Sequence, residues 1–138
     1  MDTVRQAILN DRFCMETVGI ELLEIGPGHA RARLGIRPEH LNGLGIIQGG
    51  AIFTLADLAL AAASNSHGTA AVLVNANISY VKGISSGVLY AEAREESLHS
   101  KLATYSIRVT DEAGDLIASM QATVYRKRES LEAILQRP

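Results

Sequence analysis

Along this chain the spacing of apolar residues changes twice. Residues 2–11 set Val4, Ala7 and Ile8 on one side and Asp2, Arg5 and Gln6 elsewhere, which predicts a short amphipathic helix packed on the outside. From about Gly19 the period falls to two. A strand over Ile20–Ile25 is stopped by Gly26-Pro27-Gly28, and a second follows over His29–Ile36, where Ala30, Ala32, Leu34 and Ile36 alternate with His29, Arg31, Arg33 and Gly35. Residues 37–48 read as loop, with Pro38, Asn42-Gly43 and Gly45. They lead through Gly49-Gly50 into the one long helical run in the middle of the chain, Ala51–Ala63, rich in the helix formers Ala and Leu. Apolar residues go almost all the way round it, so this helix is expected to be enclosed by other structure.

After His67-Gly68 the period of two returns and stays. Val72, Val74, Ala76, Ile78 and Tyr80 alternate with Leu73, Asn75, Asn77 and Ser79; Ala103, Tyr105, Ile107 and Val109 follow the same rule, as do Leu116, Ala118, Met120, Ala122 and Val124. A further strand fits Val88–Leu98, and Asp111-Glu112-Ala113-Gly114 reads as a hairpin turn. The Arg126-Lys127-Arg128 run with Glu129 and Glu132 predicts a solvated helical tail over about 128–138. Short turns favour an antiparallel sheet, and one long helix between its second and third strands must cross a face of it. The expectation is an α+β fold with a curled sheet around the helix.

Composition narrows the function. The 138 residues suit a single domain, 1–138, and 47% of them are apolar, enough for one core. A formal charge of -2 with interspersed signs argues against nucleic acid and anionic membranes as partners. Aromatics at 4% leave no stacking platform for single strands. The N-terminal stretch resembles no signal peptide, and no apolar run approaches the roughly 20 residues of a membrane span. The single cysteine, Cys14, fits a reducing, cytoplasmic setting and reads as a buried thiol. His29, His40, His67 and His99 lack metal-ligand spacing, so no metal site is expected and they read as surface or capping residues.

Chemistry concentrates in Leu41–Ser66. Two glycines opening a helix leave backbone N–H groups accessible, and the helix dipole adds positive potential, so Gly49 and Gly50 can hold a developing oxyanion or simply form a turn. Asp57 stands between Ala56 and Leu58, where a carboxylate must be paired, exposed on a narrow face, or used. Thr54, one turn earlier, can orient it or a water. Asp57 follows Gly49 by eight residues, about 12 Å along one helix axis, too far for both to meet one carbonyl. Two chains with antiparallel helices would bring the glycine of one to the aspartate of the other.

This segment resembles the active-site region of the phenylacetate-degradation (PaaI-type) hotdog thioesterases, whose pattern Asn-x-x-Gly-x-x-His-Gly-Gly precedes a helix carrying Leu-Ala-Asp. Here it reads Asn42, Gly45, Gln48, Gly49, Gly50, then Leu55-Ala56-Asp57, and the strand order agrees over roughly residues 15–127. The resemblance implies a hotdog fold and hydrolysis of a small or medium acyl-CoA, aromatic acyl groups included. It implies Asp57 as nucleophile or general base, Gly49 N–H polarising the thioester carbonyl, and Asn42 positioning water or substrate. A homodimer is required for the site and a tetramer is expected; coenzyme A enters only as part of the substrate, with no other cofactor. Gln48 departs from the family's His, removing a titratable group while keeping hydrogen-bonding capacity.

Further substrate contacts are expected at Gly50 and Thr54, and at Asn77 and Ser79, which resemble a strand facing the acyl pocket but equally fit the wet face of an ordinary strand. Lys82, His99 and Lys101 stand where relatives carry groups near the coenzyme A phosphates, and equally fit hairpin-end charges. Gln48 also motivates a second reading, a noncatalytic acyl-CoA-binding protein. A third, enoyl-thioester hydration, lacks the Asp-plus-His arrangement of hotdog hydratases.

Overall fold

A computed structural model describes all 138 residues. Helix α1 (Asp2–Leu9) and a π-helical turn (Phe13–Val18) precede strands β1 (Glu21–Gly26) and β2 (His29–Gly35). Helix α2 (Gly49–Ser64) follows, then β3 (Thr69–Tyr80), β4 (Val88–Leu98), β5 (Leu102–Thr110), β6 (Leu116–Ser130) and a terminal helix α3 (Leu131–Leu135). The strands form one antiparallel sheet in the order β1-β2-β4-β5-β6-β3. This is the α+β hotdog arrangement, with the curved sheet wrapped on α2.

Small side chains explain how closely the sheet holds the helix. Ala30, Ala32, Ala91, Ala93, Ala103 and Ala118 on the inner face are fully or almost fully buried, as are Ala56, Ala59, Ala62 and Ala63 on α2. Leu55, Leu58, Leu60, Leu34, Leu89 and Ile107 fill the remaining volume. At the β1–β2 turn, Gly28 has φ +67, and a Cβ there would lie 2.8 Å from a Glu95 carboxylate oxygen, so both conformation and space demand glycine. Helix α1 docks through buried Val4 and Ile8.

Three expectations change. First, α2 is not enclosed on every side within one chain: Gly50, Thr54, Asp57 and Ala61, spaced four, three and four residues apart, form a stripe that stays exposed or half-buried. Second, alternation in β3 is broken by a bulge between Leu73 and Asn75, so Leu73 and Ala76 share the inner side while Val72 turns outward with Asn75. Third, the basic run Arg126-Lys127-Arg128 lies in β6, not in a helix. Pairing of Ala71 with Arg126 and of Thr69 with Ser130 holds it extended, so the helical tail starts only at Leu131. No helix is long and apolar enough to cross a membrane.

Candidate active site

The first turn of α2 is the centre of the candidate site. Gln48 caps it in an extended conformation, and its carbonyl accepts from the N–H groups of Ala51 and Ile52. The N–H groups of Gly49 and Gly50 donate to nothing within the chain. Two clefts flank this turn. One, of about 360 Å³, is lined by Asn42, Ile47, Gly49, Ile52, Tyr80 and Lys82. The other, of about 530 Å³, is lined by Phe13, Thr17, His40, Gln48, Gly50 and Thr54.

Asp57 borders neither cleft. It sits on the uncovered stripe of α2, half-buried and without a hydrogen bond inside the chain. Its carboxyl is pushed above the ordinary aspartate range, first by burial and then by the Asp11 carboxylate. Asp11 accepts the Cys14 N–H at 2.9 Å. The Cys14 thiol is buried and pushed up to about 12, mainly by desolvation, with both Asp11 and Asp57 adding to it. Such a thiol is no nucleophile.

The other expected residues divide. Asn42 lines the same cleft as Gly49, but its side-chain carbonyl is used inside the loop, accepting from Leu44 N–H at 2.9 Å and Ile46 N–H at 3.3 Å; only its amide NH₂ remains to meet a substrate or water. Thr54 donates to the Gly50 carbonyl at 2.8 Å, so its proton is committed to the helix and not to Asp57. Asn77 and Ser79 pair with Gln121 and Ser119 on the outer face of the sheet, away from α2. Lys82 is held by Asp115 at 2.8 Å and Asp111 at 3.6 Å, which partly neutralises it.

His99 and Lys101 are exposed at the β4–β5 hairpin, whose tip is tied to β6 by the Arg126 guanidinium donating to the His99 carbonyl at 2.9 Å. Tyr80 pairs with Ala118 and Leu102 with Tyr125, so Lys82 and this tip stand at opposite ends of β6, about 23 Å apart along the strand. A single chain therefore does not gather them.

Two residues do more than the sequence predicts: His40 keeps its expected capping role but from a buried position, and Tyr80 makes an unexpected site contact. His40 is buried rather than on the surface: its Nδ1 accepts the Arg37 N–H at 2.9 Å, capping a 3₁₀ turn, and its Nε2–H donates to the Val18 carbonyl at 2.8 Å. With both nitrogens engaged, it cannot stand in for the imidazole that Gln48 replaces. Tyr80 donates its hydroxyl to the Gly49 carbonyl at 2.9 Å. Parity along β3 carries the signal, since Tyr80 and the Asn77/Ser79 pair cannot face the same side. His29 and His67 bind Glu92 at 2.7 Å and Glu95 at 2.6 Å, and nowhere do three potential ligand side chains converge as a metal site needs.

Comparison with known proteins agrees with this fold. Residues 44–118 match the family model of the Thioesterase superfamily. A protein of Archaeoglobus fulgidus, provisionally named an esterase, is 43% identical over 87% of this chain and 78% of its own length. The acyl-coenzyme A thioesterase PaaI of Escherichia coli K12 is 27% identical over 87% of this chain and 86% of its own. The solved structure of the E. coli PaaI protein superposes with a TM-score of 0.87, covering 94% of this chain and 96% of that one at 25% identity. The TT0310 protein of Thermus thermophilus gives 0.79 at 36% identity, over 83% and 97%. With its six-stranded sheet wrapped on one helix and its glycine-opened turn, this chain belongs to the Thioesterase superfamily, as a hotdog-fold enzyme of the PaaI type.

Proposed function

We propose that the protein hydrolyses small or medium acyl-CoA thioesters, aromatic ones included, to the free acid and coenzyme A at sites shared by two chains. The observation that carries this reading is Asp57, a half-buried carboxylate with no internal partner, eight residues beyond the unpaired N–H of Gly49. Both groups belong to α2 and cannot reach one carbonyl together, so each is completed by a second copy.

The exposed edge of β3 supplies the means. Val72, Leu73 and Val74 are exposed on a strand that has no neighbour on one side, and pairing two such edges antiparallel brings two α2 helices antiparallel as well. The same two-fold axis carries the partner's β4–β5 hairpin to the end of the sheet where Lys82 lies. His99 and Lys101 of one chain and Lys82 of the other then flank a single groove for the coenzyme A phosphates. A dimer is the minimal active unit, and two dimers can pair to give a tetramer.

In the reaction the thioester carbonyl oxygen accepts from Gly49 N–H, which opposes the negative charge that develops on it. Asp57 of the second chain either attacks the carbonyl carbon or takes a proton from an attacking water. By the first route coenzyme A leaves as thiolate, and water then cleaves the resulting mixed anhydride; by the second, hydroxide adds directly and the thiolate leaves, to be protonated. The Asn42 amide donates to the water or substrate. No metal or redox step is required by either route. The cytoplasm, where acyl-CoA and a free thiol coexist, is the setting this chemistry fits.

The deciding experiment compares the parent with Asp57→Ala on a panel of acyl-CoA esters. The variant is expected to lose at least about 100-fold in kcat/KM, and equal rates would overturn the reading. Gln48 motivates the second reading, since its side chain caps nothing and lines a cleft without offering a titratable group. Tight acyl-CoA binding without turnover by the parent selects that reading; faster turnover by Gln48→His selects a tempered hydrolase.

A further inference from the structure

Gly49 and Gly50 present two free N–H groups, yet glycine is the residue least suited to hold them still, because it surrenders the most backbone freedom on ordering. Within the helix the Gly50 carbonyl is held by the Thr54 hydroxyl at 2.8 Å, and a restraint from outside adds to that hold. Tyr80, the last residue of β3, meets this turn in two ways. Its hydroxyl donates to the Gly49 carbonyl at 2.9 Å. Its ring also closes on the same residue, so that a Cβ at Gly49 would lie 3.2 Å from Tyr80 Cζ and 3.3 Å from the hydroxyl oxygen.

The Gly49 carbonyl and the Gly50 N–H belong to one peptide group. A hydrogen bond accepted by the oxygen fixes the plane of that group and polarises it, making the N–H a stronger donor. Through the dihedrals of Gly49 the same bond restrains the N–H of Gly49 itself. Burial pushes the Tyr80 hydroxyl above its ordinary range, so it keeps its proton and acts as donor throughout the neutral region. The ring lines the cleft shared with Asn42 and Gly49, so the contact lies at the site rather than behind it.

We propose that Tyr80 is a positioning residue that pre-orders the Gly49–Gly50 donors for the oxyanion, an inference that rests on the hydrolytic reading above. Preorganised donors stabilise a transition state because no reorganisation is left for the moment of reaction. Tyr80 touches neither the scissile bond nor the attacking group in this scheme; it acts through the backbone.

The test uses the full chain with Tyr80→Phe, which keeps the ring and removes only the hydroxyl. On the acyl-CoA the parent turns over best, kcat is expected to fall about three- to tenfold, the size of one net hydrogen bond, with KM and Tm unchanged. In parallel, amide order parameters of Gly49 and Gly50 are expected to drop from the rigid range near about 0.85 toward below about 0.6, while those of Leu55 and Leu58 hold. A parental kcat, parental order parameters at both glycines, or a loss of kcat tracking a loss of Tm each overturns the proposal. If the parent hydrolyses no acyl-CoA, the hydrolytic reading has failed, and the order parameters alone decide whether Tyr80 holds the turn.

Discussion

Asp57 carries its charge against the interest of the fold. Burial and the neighbouring Asp11 raise its pKa, so the folded chain holds that proton more tightly than the unfolded chain does. In acid, below the unfolded pKa, both states are protonated and the carboxyl imposes no penalty. As pH rises through the raised folded value the advantage of the bound proton is lost, and above that value the full destabilisation is present. Asp57→Asn is therefore expected to stabilise by roughly 0.5–2 kcal/mol at neutral pH and to change nothing in acid. Urea melts at the two pH values check this, and an unstabilised variant at neutral pH contradicts it. Asp57 is legible in the sequence because none of its flanking residues can satisfy a carboxylate. His40 and Tyr80 are legible only in part: the capping role of one is local but its burial depends on the Val18 carbonyl folded onto it, and parity gives the other's side of β3 but not its glycine partner thirty-one residues away.

At the scale of elements, α2 depends on Leu55, which is fully buried on the side opposite the open stripe. Leu55→Ala is expected to cost about 2–5 kcal/mol, because the small alanines around it cannot move in to fill the space. Chemical denaturation measures it, and a loss well under that range would mean the sheet relaxes onto the helix. Periodicity finds α2 and all six strands, with Val88–Leu98 matched at both ends. It fails where tertiary pairing overrides local preference. One extra residue at the β3 bulge reverses which side chains face inward, and the start of β3 draws residues 126–130, four of them charged, into an extended ladder that their composition alone does not favour. Beyond the bulge the expected alternation holds, and Asn77 and Ser79 lie on the wet face that it offered as one of two readings.

For the whole molecule the open edge of β3 is the decisive surface. Val74, at the bulge, is 56% exposed, so a lysine there meets no clash within the chain but sets a charge on the open edge proposed to pair with a second copy. Val74→Lys is expected to shift the protein to monomer in sedimentation and to abolish hydrolysis while each copy keeps the parental circular dichroism spectrum. An active monomer would refute the shared site. β3 ends in Tyr80, so the strand proposed to join two copies also terminates at the turn proposed to polarise the thioester. On that proposal the reaction's order in protein is a structural property: well below the dimer dissociation constant, rate is expected to grow with the square of protein concentration. Specific activity then fades on dilution and returns on concentration, with no change in the fold of either copy.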